Sequence, residues 1–190
     1  MQHFRPFFSL ILRTDVINMS SLPTEKLVAA ARSGDADSFG ELYALYARDM
    51  YRFALYYTGS PSLAEDAVSE AVLSAFENLS GLRDNKKFRQ WLFTILSNCC
   101  KKAQKEKALA ARLVSLNNLT EEPAEEHDMS TRVAIMHAML ELSDEERETV
   151  LLSFVSGYTS REISKMTGEK DTTIRSRLSR AAAKLRKHLT

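Results

Sequence analysis

From Thr24 onward apolar residues recur at three- and four-residue steps, which predicts a chain that is nearly all helix. Leu27, Val28 and Ala31 mark a short helix stopped at Gly34. Asp37 or Ser38 is expected to open a longer one through Phe39, Leu42, Tyr43, Tyr46, Met50, Phe53, Ala54 and Tyr57, an aromatic series that reads as core. Gly59-Ser60-Pro61-Ser62 then breaks the chain. Pro61 suits a first helical position, and Ser62 with Glu65 spells a capping box. The third helix buries Leu63, Ala67, Val68, Ala71, Val72, Ala75 and Leu79. Its other face holds Asp66, Ser69, Glu70, Ser74 and Glu77 without a basic residue, so no i,i+4 ion pair steadies it and an external basic partner becomes one reading beside plain solvation. Ser80 to Asn85 reads as a loop, after which Phe88, Trp91, Leu92, Ile95, Leu96 and Cys99 resume helical spacing, with Phe88 and Trp91 read as core.

The last quarter of the chain spells a helix-turn-helix. Ser143 with Glu146 and Thr159 with Glu162 are capping boxes, and Gly157 and Gly168 sit where helices should stop. Between the glycines lies a stretch of about two turns, the size of a scaffold helix. The following helix is expected from about Thr172 to Leu189, with Asp171 as its cap. Ile174, Leu178, Ala181, Ala182, Leu185 and Leu189 form its core stripe, so Thr172, Ser176, Ser179, Arg180 and Ala183 point outward, flanked by Thr173, Arg175, Arg177 and Lys184. Short hydroxyls and Ala in the centre admit close approach to a major groove, while Arg and Lys reach phosphates or guanine edges. A basic face alone suits a solvated surface helix; on the second helix of a tight pair it points to duplex DNA.

Charge sharpens this division. The formal net charge of the 190 residues is only +1, so nucleic-acid binding has to come from local segregation. Lys and Arg dominate from Arg83 to Lys107 and again from Arg175 to Lys187. Leu113 to Ser130 holds Glu121, Glu122, Glu125, Glu126 and Asp128 with no Lys or Arg. Two basic modules joined by an acidic linker, each building its own modest core, is the simplest organisation. In the first module Arg83, Asn85, Lys86, Lys87, Arg89, Asn98, Lys101, Lys102, Lys105 and Lys107 surround a polar loop and an aromatic-bearing helix, which suits single-stranded DNA.

Other chemistry finds little support. Cys99 and Cys100 are helical neighbours pointing about 100° apart, so a structural disulfide is not expected and a reducing cytoplasm fits. The four histidines are scattered and no metal-ligand spacing occurs, so neither a metal nor another cofactor is expected. No phosphate-cradling glycine loop, nucleophile elbow or paired catalytic constellation is present, and no catalytic residue is assigned; the chain reads as a non-enzyme. Phe4, Phe7, Phe8, Leu10, Ile11 and Leu12 form an apolar patch, but Arg5, Pro6, Arg13 and Asp15 interrupt it well short of the roughly 20 residues that span a bilayer. Met19 precedes Ser-Ser-Leu-Pro-Thr-Glu, a natural helix entry, so residues 1–18 are set apart as a tail that need not belong to the native protein.

Asp35-Ala36-Asp37-Ser38-Phe39-Gly40-Glu41-Leu42-Tyr43, Ala64-Glu65-Asp66-Ala67-Val68-Ser69-Glu70-Ala71 and Phe88-Arg89-Gln90-Trp91-Leu92 resemble region 2 of bacterial sigma factors of the extracytoplasmic-function (ECF) group. Leu142-Ser143-Asp144-Glu145-Glu146-Arg147, Gly157-Tyr158-Thr159, Glu162-Ile163 and Ile174-Arg175-Ser176-Arg177-Leu178-Ser179-Arg180-Ala181 resemble region 4. The resemblance implies two small helical domains, at 19–112 and 131–190, joined by an acidic linker at 113–130 that threads the polymerase channel. It further implies that Asp66, Ser69, Glu70 and Leu73 dock on the clamp helices of the polymerase largest subunit. Arg83, Asn85, Lys86, Lys87, Arg89, Asn98, Lys101, Lys102 and Lys105 would then hold the minus-10 element open, although the family's usual Asp and Arg after Asn98 are here Lys102 and Lys105. Thr172, Thr173, Arg175, Ser176, Arg177, Ser179, Arg180 and Lys184 would enter the minus-35 major groove, although Glu169 and Lys170 replace the family's usual aliphatic residue and cap. The polymerase flap region is implied as a further partner, and an anti-sigma protein is common in the family. The alternative is a helix-turn-helix regulator that acts without joining core polymerase.

Overall fold

The computed structural model describes residues 23–114 and 129–189; the N-terminal tail, most of the acidic linker and the final residue lie outside these. Among the described residues all regular structure is helical, as the apolar period requires. The first four helices are α1 (Thr24–Arg32), α2 (Ala36–Thr58), α3 (Pro61–Asn78) and α4 (Phe88–Val114). Two short 3-10 turns, Leu79–Gly81 and Asn85–Lys87, fill the segment read as a loop. The second group is α5 (Met129–Leu140), α6 (Asp144–Val150), α7 (Ser160–Thr167) and α8 (Asp171–Leu189), and α6 runs on into one wider π-type turn, Leu151–Val155. No helix among the described residues is long and apolar enough to cross a membrane.

Helix ends follow local chemistry, with two corrections. Asp35, rather than Asp37 or Ser38, caps α2: its carboxylate accepts from the Asp37 amide and the Ser38 hydroxyl, and the Ser38 bond holds the Asp35 carboxyl below its ordinary range. An Asp two or three residues upstream of the expected start wins because its side chain reaches the free donors of the first turn. The Ser62–Glu65 box does not form, because Ser60 already occupies the cap and Pro61 the first helical position, leaving both residues inside the helix. The Ser143–Glu146 and Thr159–Glu162 boxes both form. Gly59 and Gly168 end α2 and α7 with φ of 68° and 75°, a left-handed turn that glycine adopts without penalty.

The expectation of two separate cores is also corrected. Buried residues form one continuous cluster running from Leu27, Leu42, Met50 and Phe53 through Phe93 and Leu96 to Leu151, Leu152, Ile163 and Ile174. The two helix groups share this cluster across their contact. The C-terminal half of α2 packs on α5 and the π-type turn, and α4 meets α7.

Glu146 gives this packing a pH dependence. Its side chain closes the α6 capping box on the Ser143 amide (3.1 Å) and takes Lys184 of α8 at 2.7 Å. The Lys184 bond is the larger cause of a carboxyl pKa lowered from 4.5, and the Ser143 amide adds to it. A depressed carboxylate stabilises the fold fully above its unfolded pKa and loses that contribution as pH falls through the folded value. The melting-temperature difference between wild type and Glu146→Gln should thus be present at pH 7 and close on acidification below pH about 4.5.

Candidate nucleic-acid interface

The α7–α8 pair is held by polar contacts at its turn. Lys170 carbonyl oxygen accepts from the Thr173 and Ile174 amides at 2.9 and 3.1 Å, so α8 begins at Asp171, one residue before the expected start. Asp171 is consequently not the cap. One of its carboxylate oxygens pairs with Arg175 at 2.9 Å, and the other is buried with no partner in the structure. Ile174 and Ala181 are fully buried and Leu178 and Leu185 pack against the core, so the stripe reading holds and fixes the outer face. Thr172, Ser176, Ser179, Arg180 and Ala183 are exposed, as are Arg175 and Lys184, whereas Thr173 and Arg177 are half-buried.

Three of the expected groove-facing cations are engaged within the fold, Arg175 on Asp171 and two more. Arg177 forks onto Glu169 at 2.9 and 2.7 Å, its side chain only 13% exposed, and its Nη1 approaches the Thr149 hydroxyl at 3.4 Å. Glu169, unexpected at this turn, is therefore half of a bidentate strut tying the turn to the recognition helix. Lys184 is spent on Glu146. Thr172, Ser176, Ser179 and Arg180 remain as the outward centre of the face.

In the first group Arg83, Lys86, Lys87, Asn98 and Lys105 are exposed. Asn85 joins the loop to α1 by accepting from Arg32 (3.0 Å), and Asp84 caps the following turn through the Lys86 amide (3.1 Å). Arg89 lies 3.9 Å from Asp49 and over the ring of Tyr158, 4.8 Å from its centroid. Lys101 sits 2.8 Å from both carboxylate oxygens of Glu148. Lys102 binds Glu70 at 2.6 Å, which raises the Lys102 pKa and corrects the reading of α3's acidic face as unpaired: at Glu70 it has a partner from α4.

The same face of α3 carries something periodicity did not flag. Leu73 and Phe76 are 54% and 49% exposed beside exposed Asp66 and Glu77, and Phe76 rests edge-on against Phe39 (5.0 Å). Large apolar side chains rimmed by carboxylates mark a protein-docking surface more than a solvated one. Phe76 had a sequence signal, an aromatic one step past the apolar stripe of its helix. Arg147, Glu148 and Ser97 had none, because their roles depend on the packing of distant helices.

Both cysteines are free and buried; burial pushes the Cys99 thiol up to about 11 and Cys100 further, so neither supplies a thiolate nucleophile near neutral pH. Among the described residues no three His, Cys, Asp or Glu side chains come together as a metal site would need.

Comparison with known proteins agrees with both blocks of the sequence. The profile described as Sigma-70 region 2 matches residues 42–109, and that of Sigma-70, region 4 matches residues 132–185. Relatives include the ECF RNA polymerase sigma factor SigM of Mycobacterium tuberculosis, 28% identical over 84% of this chain and 81% of the relative. SigL of the same species is 29% identical over 84% of this chain and 93% of its own length. Two solved structures share the fold: CnrH in complex with the cytosolic domain of CnrY (TM-score 0.69, 24% identity, 87% of this chain and 96% of that one). The other is the sigma factor RpoE of Bartonella quintana in complex with the anti-sigma factor NepR (TM-score 0.68, 23% identity, 81% and 98%).

Proposed function

The chain belongs to the ECF sigma factors of bacterial RNA polymerase, which bind core polymerase and direct it to promoters, and from that premise we propose how its own residues divide the work. Residues 19–112 form region 2 and 131–190 form region 4, with 113–130 the linker between them. The observation that carries the division is that one chain presents two chemically opposite faces. A groove-sized face of short hydroxyls and Arg180 lies on α8, and an acidic face with exposed Leu73 and Phe76 lies on α3.

Asp66, Ser69, Glu70 and Leu73, joined by Phe76, dock on the clamp helices of the polymerase largest subunit, with region 4 on the flap. The apolar pair supplies buried area there, and the carboxylates supply steering and register. The 3-10 turns and α4 take the minus-10 element through Arg83, Asn85, Lys86, Lys87, Arg89, Asn98, Lys101, Lys102 and Lys105. Strand separation is then offset by capture of unpaired bases and by phosphate contacts. Thr172, Thr173, Arg175, Ser176, Ser179 and Arg180 read the minus-35 groove. Arg177 and Lys184 act one step back, fixing α8 at the angle from which those side chains reach. The chain performs no chemistry of its own, works in the cytoplasm, and is held in reserve by an anti-sigma protein.

Run-off transcription with purified core polymerase on genomic promoter fragments tests this reading. Promoter-dependent initiation at roughly one chain per core is expected; no core binding and no promoter-dependent initiation would leave the stand-alone regulator. Asp66→Lys and Leu73→Glu should each weaken core binding by about tenfold or more, in proportion to a lost interface contact. Unchanged core affinity in both would remove α3 from the interface.

A further inference from the structure

The seam between the two domains is built from groups that the proposed function needs elsewhere. Glu148 of α6 is 8% exposed and reaches across to α4, where its carboxylate accepts from the Ser97 hydroxyl and from Lys101 Nζ, 2.8 Å from each carboxylate oxygen. Beside it, Arg147 Nη1 donates to Gln104 Oε1 (3.0 Å) and to the Tyr57 carbonyl (3.3 Å), while Gln104 Nε2 donates to the same carbonyl (2.9 Å). At the other end Tyr158 packs edge-on against Phe93 (6.2 Å) and under Arg89. Leu140 closes the margin against Gly59, so tightly that a Cβ there would lie 2.9 Å from Leu140 Cδ1.

A hydroxyl and an ammonium converging on one carboxylate are also what a DNA phosphodiester asks of a protein: charge-assisted donors around an anionic oxygen. Resting on the reading of Lys101 as a minus-10 contact, we propose that Glu148 is an internal phosphate mimic. It occupies the Ser97–Lys101 anion position in the closed chain, so that region 4 and the single-stranded minus-10 backbone compete for it.

Two further observations support competition rather than a permanent bond. Promoter elements about 25 base pairs apart are separated by about 85 Å of duplex, at about 3.4 Å per base pair. A compact domain pair of this size has a radius of gyration of about 15 Å and a diameter of about 40 Å. The closed chain cannot touch both elements, so the seam has to part before they are bound together. The seam is also imperfectly satisfied. The Tyr57 hydroxyl, on the ring that lies under Arg147, is buried without a hydrogen-bond partner, a cost that hydration relieves on opening. Opening exchanges this defect, together with Glu148 on Lys101, for water and a DNA phosphate.

The test uses the full-length chain. Fluorescence anisotropy with a labelled single-stranded DNA 12-mer should show Glu148→Gln binding about tenfold tighter than wild type, the loss of charge-assisted hydrogen bonds from the closed form. Small-angle scattering should show a larger radius of gyration for Glu148→Lys, whose ammonium opposes Lys101, and for Gln104→Ala. The latter removes the Arg147 contact across the seam from a half-buried position of α4, together with one bond to the Tyr57 carbonyl inside the first domain. Circular dichroism establishes that the helices persist. Unchanged scattering in both opening variants would overturn the latch. Opening without tighter DNA binding would overturn the mimicry. The minus-10 role of Lys101 fails separately, if Lys101→Gln leaves promoter opening by the holoenzyme intact.

Discussion

Arg147→Ala is expected to cost about 3–5 kcal/mol of stability, the range found when one partner of a buried charged network is removed. Arg147 is 5% exposed, and its guanidinium serves as a C-terminal cap for α5. Nε donates to Met139 carbonyl oxygen (2.8 Å), and Nη2 donates to those of Leu142 (2.9 Å) and Leu140 (3.2 Å). These carbonyls belong to a helix end that has no intrahelical donors left, and a cation there also meets the negative end of the helix dipole. Its remaining nitrogen crosses to Gln104 and the Tyr57 carbonyl, and its face lies 5.6 Å from the centroid of the Tyr57 ring. Alanine would leave the Leu140 and Leu142 carbonyls without donors, while Met139 keeps the Leu142 amide and Tyr57 keeps Gln104, and it would open a void beneath Tyr57. Chemical denaturation of the full chain measures the loss. Arg147→Lys should recover only a minor part, since one ammonium cannot reproduce a planar fork of five donors. The nearby Asp144, 58% exposed and 3.4 Å from Arg147, should cost no more than about 1 kcal/mol as Asp144→Ala. An Arg147→Ala change as mild as the Asp144 one would mean that the carbonyls find water, and that Arg147 is not a structural cap.

That residue shows where sequence reading stopped. Helix identity, the core stripe of α8, the two boxes at Ser143 and Thr159 and the stops at Gly157 and Gly168 were legible because each depends on residues within a turn or two of one another. The outer face of α8 was legible for the same reason: once Ile174 and Ala181 are inward, Ser176 and Arg180 have nowhere else to point. Asp35 over Asp37, and Ser60 over Ser62 as the cap position of α3, were lost because neighbouring positions offer nearly equal caps, although Pro61 at the first helical position was legible. The seam was not legible at all. Arg147 and Glu148 read as two more charges on a capped acidic-basic helix, and nothing local says that their partners lie some 40 to 90 residues upstream at Ser97, Lys101, Gln104 and Tyr57. The pairing of Glu70 with Lys102 is of the same kind, bringing a residue read as polymerase-facing against one read as DNA-facing. One consequence is that promoter engagement and core docking need not be independent, since each would draw on a partner of the other.

Arg180→Ala should weaken holoenzyme binding to a minus-35 duplex by about 1–3 kcal/mol and flatten its preference at one base position, the signature of an arginine that reads a guanine edge. Arg177→Ala, three residues earlier on the same helix, should behave differently although it removes the same side chain. Arg177 faces Glu169 with both guanidinium ends, so its loss frees the α7–α8 turn and leaves the Glu169 carboxylate partly buried and unpaired. The expected result is a drop of about 1–3 kcal/mol in stability, the usual worth of hydrogen bonds to a charged group, with binding weakened evenly across duplex sequences. Measuring both variants by anisotropy on duplexes that differ at single minus-35 positions, with thermal melts alongside, separates reader from strut. Glu169→Gln provides the third corner, because it should reproduce part of the Arg177→Ala destabilisation while leaving Arg180 and Ser176 in place. If Arg177→Ala instead changed base preference at unaltered stability, the fork to Glu169 would open on binding and Arg177 would be a groove contact after all. If Arg180→Ala weakened every duplex equally and reduced the salt slope by about one, Arg180 would hold a phosphate, and base reading would fall to Ser176 and Ser179 at the centre of the face.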